Sequence, residues 1–231
     1  MTEISAESRL VGILGWPVQH SLSPGMHNAA FAALDLDWTY VALPTRPEHL
    51  ADAVRGLAAL GFAGANVTAP HKLAVVQLCK TDARSVNTLV ARDDSVAGFS
   101  TDAAILDGLP TARPVVLGGG GAATAFLEAL PHARAFSRRG EWPPDVTDAD
   151  LVVNATSERD DVLAELASGQ VLVDVPYPET ATATAARTAG ARVVGGLEVL
   201  VAQGAASFAL WTGVPAPVDV MRRAVGLESA S

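Results

Sequence analysis

Cysteine occurs once in the 231 residues, as Cys79. A single thiol excludes a disulfide within the chain and argues against a metal site built on cysteine. Long apolar runs are missing as well. No stretch reaches the roughly 18 residues that a membrane-spanning helix needs. The N-terminus, MTEISAESRL, has no apolar segment of signal-peptide type, and a soluble cytoplasmic protein is expected. Positive charge is scarce. Sixteen Lys and Arg face 25 Asp and Glu, for a net charge of −9. They form no basic run, so the footprint of a nucleic-acid binder is absent. An acidic chain that binds an anion must do so locally, with a few placed cations and backbone N–H groups. Zinc-ligand spacing, a Walker loop and a Ser/His/Asp order are lacking too, which leaves metal, phosphoryl-transfer and hydrolase chemistry without support.

What remains is an ordinary globular composition, 49% hydrophobic and 18% charged, long enough for one large domain or two small ones. Short apolar runs recur with helical segments between them. Residues 11–16, 38–43 and 62–67 read as strands. Ser23 and Pro24 read as an N-cap and an N1 proline. Met26, Ala29, Ala30, Ala33 and Leu34 follow at helical spacing, as do Leu50, Ala53, Val54, Leu57 and Ala58, with Gly61 as a C-cap. This alternation predicts a parallel or mixed sheet covered by helices. A second series follows GLPTARP. Residues 114–130 read as a strand, a glycine loop and a helix. Residues 151–155, 171–175 and 192–195 read as strands buried on both faces, and 133–136 as a weaker one. The tail from about residue 197 to 225 reads as helix broken at Pro215 and Pro217.

Four places carry chemistry. Gly118-x-Gly120-x-x-Ala123 lies between a strand and a helix, the context of a dinucleotide-binding loop. There glycine lets the backbone approach a pyrophosphate, and the helix N-terminus offers N–H groups. A plain flexible turn is the other reading of four glycines. The next strand runs into Ser137, Arg138 and Arg139 and meets no carboxylate before Glu141. Arginine at the ribose accommodates the 2′-phosphate of NADP, whereas a solvated arginine pair carries no such meaning. In GANVTAPHK, residues 64–72, Asn66, Thr68, His71 and Lys72 crowd one turn of an apolar chain. A lysine near an aspartate such as Asp102 can act as acid and base on a carbonyl–alcohol pair. Ser21 and Ser23, just before a helix, form a weaker candidate for holding a carboxylate or hydroxyl. His49 and His132 read as surface residues.

Taken in order, GWPVQHSLSPGMHNAAF, GANVTAPHK, SVNTL, GFSTD, VVLGGGGAATA, VVNATS and GLEVLVAQGAASFALWTG make the chain resemble the shikimate dehydrogenase family from end to end. The resemblance implies a two-domain α/β fold. A substrate-binding and catalytic domain spans residues 1–104, a Rossmann-like NADP-binding domain 105–200, and C-terminal helices, 201–231, return to the first domain. It implies reversible reduction of 3-dehydroshikimate to shikimate by NADPH, with quinate or an aminoshikimate as the alternative substrate, or a polyol-binding protein with little turnover. Ser21 and Ser23 would hold the substrate carboxylate, and Thr68, Asn87 and Gln203 its hydroxyls. Asn66 would shape the pocket, Tyr177 would line it, and Lys72 and Asp102 would be the catalytic pair. The cofactor would meet Gly118, Gly120, Gly121, Ala122, Ala123, Ser137, Arg138, Arg139, Asn154, Thr156 and Gly196. A small-molecule substrate, no nucleic acid, no membrane, no metal, and a monomer or homodimer complete the expectation.

The departures from the family pattern matter. Ser100 stands where Asn usually precedes Thr-Asp, Ser137, Arg138 and Arg139 where Asn-Arg-Thr is usual, Val199 where Met is usual, and Thr124 follows the glycine loop. Only 17 positions separate Ser137 from Asn154, too few for the further helix and strand of a Rossmann half, since a βαβ unit takes about 30 residues. A trimmed Rossmann domain lacking one strand on its adenine side is expected.

Overall fold

The computed structural model describes residues 4–93 and 95–228. In chain order the elements are β1 (Arg9–Gly15), α1 (Ser23–Ala33), β2 (Trp38–Pro44), α2 (Leu50–Ala59), β3 (Gly64–Val67), β4 (Thr88–Arg92) and β5 (Ser95–Phe99), then β6 (Pro114–Leu117), α3 (Gly121–Ala129) and β7 (Arg134–Phe136). They continue with β8 (Leu151–Asn154), β9 (Val171–Asp174), α4 (Ala181–Thr188), β10 (Arg192–Val194), α5 (Gly196–Thr212) and α6 (Val218–Ala224). The described residues divide into two compact units, one of residues 4–101 with 200–228 and one of residues 102–199.

The first unit is built on a five-stranded sheet of order β2-β1-β3-β4-β5. β1 pairs in parallel with β2 and β3, and β3–β4 and β4–β5 are antiparallel. The sheet is therefore mixed, within the expected class. The β4–β5 hairpin is an addition the periodicity did not predict. Leu14, Val54, Leu57, Ala65, Val67, Val75 and Leu89 share one core. Two local expectations are corrected. Ser23 is the first residue of α1 and not its cap. Leu22 holds the cap position without a side-chain bond, and Ser21 Oγ accepts the Ser23 N–H at 3.3 Å. The buried stripe of α1 is Ser23, Met26, His27, Ala30 and Phe31, so Ala33 and Leu34 face outward, because two aromatic rings take the contact with the core. α2 ends as expected, with Gly61 at φ 72° beyond Leu60.

The second unit has a five-stranded sheet of order β10-β9-β8-β6-β7, parallel throughout. A six-stranded doubly wound sheet would carry one more strand outside β7; among the described residues there is none. Every other side chain goes to one face. Val115, Leu117, Val152 and Leu172 lie in one core, and Val116, Leu151, Val153 and Val173 in the other, which follows from the period of two along a strand. Phe126 and Ala123 of α3 close the second core. The first is closed by Ala183 and Ala186 of α4, and also by Trp142, Val146, Ala149, Leu163, Ala164 and Leu166 from irregular segments. Gln170 pins these segments, its Nε2 donating to the carbonyls of Val146 and Ala149 at 2.7 Å each. At the sheet edge, Arg134 of β7 pairs with Asp148 at 2.5 Å and Asp145 at 3.9 Å.

Candidate active site

In the first unit the stretch 64–72 begins as β3 and leaves the sheet at Thr68. Backbone bonds fix the exit: Thr68 N–H donates to Leu14 O at 2.9 Å, and His71 N–H to Thr68 O at 2.9 Å. His71 is buried, and its Nε2 donates to the Thr45 carbonyl at 2.7 Å. Its role is thus to tie the turn to the end of β2. Lys72 follows, half-buried, with its carbonyl accepting from Val86 N–H at 3.0 Å. The lysine is displayed from a turn held at each of these points.

Beside that turn lies a buried hydrogen-bond network. Asn66 Nδ2 donates to Asn87 O, Thr88 Oγ1 and Ser207 Oγ at 3.0–3.2 Å, and its Oδ1 accepts from Tyr40 Oη at 2.9 Å. Asn66 is therefore fully engaged inside the protein. Asn87 Oδ1 accepts the Thr101 N–H at 2.7 Å, which fixes the orientation of the amide; its Nδ2 then donates to Thr101 Oγ1 at 2.9 Å and to Gln203 Oε1 at 3.2 Å. Gln203 Nε2 donates to Leu200 O at 3.0 Å. Ser207 Oγ donates to Gln203 O at 2.9 Å and lies 2.8 Å from Thr88 Oγ1. The predicted residues Asn66, Asn87 and Gln203 thus meet in one network with Thr68 and Lys72 on the neighbouring turn. Thr88, Thr101, Ser207 and Tyr40 belong to it too, and sequence reasoning missed them as members. The only signal was Ser207 standing one turn after Gln203 on a predicted helix. Ser23 is buried and Ser21 half-buried at the start of α1. Asp102, buried, follows Thr101 directly and opens the second unit.

Stacked on Tyr40, with ring centroids 4.6 Å apart, is His27. It is fully buried and both ring nitrogens are without a hydrogen-bond partner. Burial holds its pKa down at about 3, against the ordinary 6.5.

In the second unit the glycine loop joins β6 to α3. Gly118 has φ 125°, and a Cβ there would stand 2.9 Å from Ala155 O, so both conformation and crowding require glycine. Above Gly120 a Cβ would meet nothing within 4 Å, and above Gly119 only Ser137 Cβ at 3.8 Å. The loop is tight against β8 beneath and open on its outer side, the shape that receives a pyrophosphate. Gly120 caps α3, Gly121 and Ala122 form its first turn, and Ala123 is buried against the sheet. Gly118 N–H donates to Phe136 O at 2.9 Å, which brings Ser137 and the two exposed arginines to the loop. Asn154 is fully buried. Its Nδ2 donates to Asp174 Oδ1 at 2.7 Å and its Oδ1 accepts from Thr156 Oγ1 at 2.8 Å. Its amide faces inward and braces the turn that carries Ala155. Asp174 also accepts from Thr180 N–H and Oγ1, and burial pushes its carboxyl pKa up. Tyr177 is half-buried and its carbonyl accepts from Arg159. A side chain at Gly196 would run into the Pro176 carbonyl, so α5 starts there only with glycine. Among the described residues no group of acidic, His or Cys side chains is arranged to hold a metal ion, and no helix is long and apolar enough to cross a membrane.

Two family descriptions match: "Shikimate dehydrogenase substrate binding domain" over residues 13–89 and "Shikimate 5'-dehydrogenase C-terminal domain" over residues 196–225. A shikimate dehydrogenase (NADP(+)) of Anaeromyxobacter sp. (strain Fw109-5) is 40% identical, with 96% of this chain and 97% of the relative covered. The chain belongs to the shikimate dehydrogenase family. Solved structures of the family agree. That of the Aquifex aeolicus enzyme superposes with a TM-score of 0.86 at 30% identity, covering 97% of this chain and 100% of that one. That of the Thermus thermophilus enzyme, in complex with NADP(H) and shikimate, gives 0.83 at 30% identity over 94% and 98%. The family fold is thus the α/β fold expected from the sequence. The alignment with the Anaeromyxobacter relative runs to 271 positions against 231 residues here, so the longer family member has at least 40 positions with no counterpart in this chain.

Proposed function

We propose that this chain catalyses the reversible NADPH-dependent reduction of 3-dehydroshikimate to shikimate. The observation that carries the reading is the buried network of Asn66, Asn87, Thr101 and Gln203 beside the turn that displays Lys72. Such a network, braced from within by Asn66, holds the amides of Asn87 and Gln203 in fixed orientation for a ligand rich in hydroxyls, at low cost in reorganisation. Ser21 and Ser23 hold the carboxylate at the start of α1, and Thr68, Asn87 and Gln203 contact the hydroxyls. Lys72 delivers a proton to the carbonyl oxygen during reduction and takes it back in the reverse direction. Asp102 is the carboxylate of the pair and orients the reacting hydroxyl. The open outer side of the glycine loop fits a dinucleotide, which Gly118, Gly120, Gly121, Ala122 and Ala123 hold at the pyrophosphate. Ser137, Arg138 and Arg139 lie at the adenosine ribose, and Thr156 and Gly196 support the loops around it. When bound, the nicotinamide supplies the hydride.

The test is absorbance at the NADPH band with shikimate and quinate as substrates and NADP and NAD as cofactors, in all four pairings. Turnover of shikimate with NADP is expected. Turnover of quinate alone would replace the substrate, and no turnover in any pairing would overturn the reading.

A further inference from the structure

Arg138 is the cation that a 2′-phosphate would need, and it is already occupied. Its Nη2 donates to Glu158 Oε2 at 3.2 Å and to Asp161 Oδ2 at 3.4 Å. A guanidinium offers two edges for bidentate contact, Nε with Nη2 and Nη1 with Nη2, and both include Nη2. Two carboxylates on that one nitrogen therefore block both edges. Glu158 is not a chance neighbour. Its Oε1 accepts the N–H groups of Arg159 at 3.0 Å and Asp160 at 3.2 Å, and its own N–H donates to Thr156 Oγ1 at 3.2 Å. Thr156 is tied to Asn154, and the intervening Ala155 carbonyl lies against Gly118. The negative charge is thus built into the turn under the glycine loop. Counting Arg138 and Arg139 against Glu158 and Asp161, the formal charge sums to zero before a dianionic phosphate arrives.

We propose that Glu158 and Asp161 are specificity-determining residues: by competing with the 2′-phosphate for Arg138 they hold the preference for NADP over NAD to a small factor. This rests on the reading of the glycine loop as the dinucleotide site. All three side chains are at least partly exposed, so the competition is screened by salt and modest in size. The test is calorimetric binding of 2′,5′-ADP and of 5′-AMP to the full chain and to variants, which needs no turnover. For the wild type, 2′,5′-ADP is expected to bind less than about tenfold more tightly than AMP. Glu158→Gln combined with Asp161→Asn is expected to tighten 2′,5′-ADP by about tenfold and leave AMP unchanged. That gain disappears when Arg138→Ala is added or when the salt is raised. Unchanged 2′,5′-ADP binding in the double variant, with AMP still binding, would overturn the proposal alone. If neither nucleotide binds the wild type, the dinucleotide reading falls and the proposal with it.

Discussion

The two sheets solve opposite problems. In the first unit, strand ends and α5 bury a hydrogen-bond network of side chains that runs from Tyr40 through Asn66, Thr88, Asn87, Thr101 and Ser207 to Gln203. In the second, the strands are sheathed in aliphatic side chains on both faces, and the polar trio Asp174, Asn154 and Thr180 braces one turn. The first holds side chains in fixed orientations, as recognition of a polyol requires. The second holds backbone in fixed positions, as a pyrophosphate requires. Side-chain recognition needs donors and acceptors held in place by their neighbours; backbone recognition tolerates a dry interior.

The contrast can be broken most sharply at Lys72. Lys72→Ala is expected to lower kcat by about 10²–10⁴ while circular dichroism and melting stay near those of the wild type. A folded variant with near-normal kcat would remove Lys72 from the chemistry. Next is Asn66→Ala, which deprives Tyr40, Thr88 and Ser207 of a shared partner in a buried site. A loss of about 2–4 kcal/mol in unfolding free energy is expected by chemical denaturation. A loss below about 1 kcal/mol would mean that water replaces the amide.

Two buried groups, one in each unit, are shifted in opposite senses. His27 is lowered from 6.5 to about 3 in the folded protein, so the unfolded chain binds more protons between those values. Its contribution to stability is complete above pH 6.5 and falls as the pH drops towards 3, by about 2 kcal/mol at about pH 5. Asp174 is raised, so its effect runs the other way: stability is gained on acidification through its folded pKa. His27→Leu is expected to flatten the loss between about pH 7 and pH 5 in urea denaturation. An unchanged slope would assign acid lability elsewhere. Asp174→Asn gives the smallest effect, a steeper net loss of stability on acidification once the opposing group is gone.

The fold class was legible because its signals are local and periodic. Buried parallel strands are continuous apolar runs, as in LVVN, and a glycine loop between strand and helix stands out at Gly118. The turn displaying Lys72 was legible because polar residues in an apolar context need a reason. The rest of the network was not. A hydroxyl on an apolar helix, such as Ser207, looks like filler until the tertiary fold brings Thr88 and Asn66 to it. Ser23 was misread because a serine before a proline satisfies the rule for a cap, while the actual bond runs from the Ser23 N–H back to Ser21. The segments holding Trp142, Val146, Leu163 and Leu166 have no period, so their burial against the sheet leaves no trace in the sequence.

A sheet one strand short of six ends in an edge whose free N–H and C=O groups invite another chain to extend it. In this protein that edge is β7, three residues long, with the Arg134 guanidinium fixed on it by Asp145 and Asp148. A charged, short strand is a poor template for a further neighbour, whether from this chain or a second copy. The shortening of the domain and the guarding of its edge therefore belong together: a sheet that stops early needs a last strand that is short and charged, and Arg134 with its two carboxylates supplies the charge.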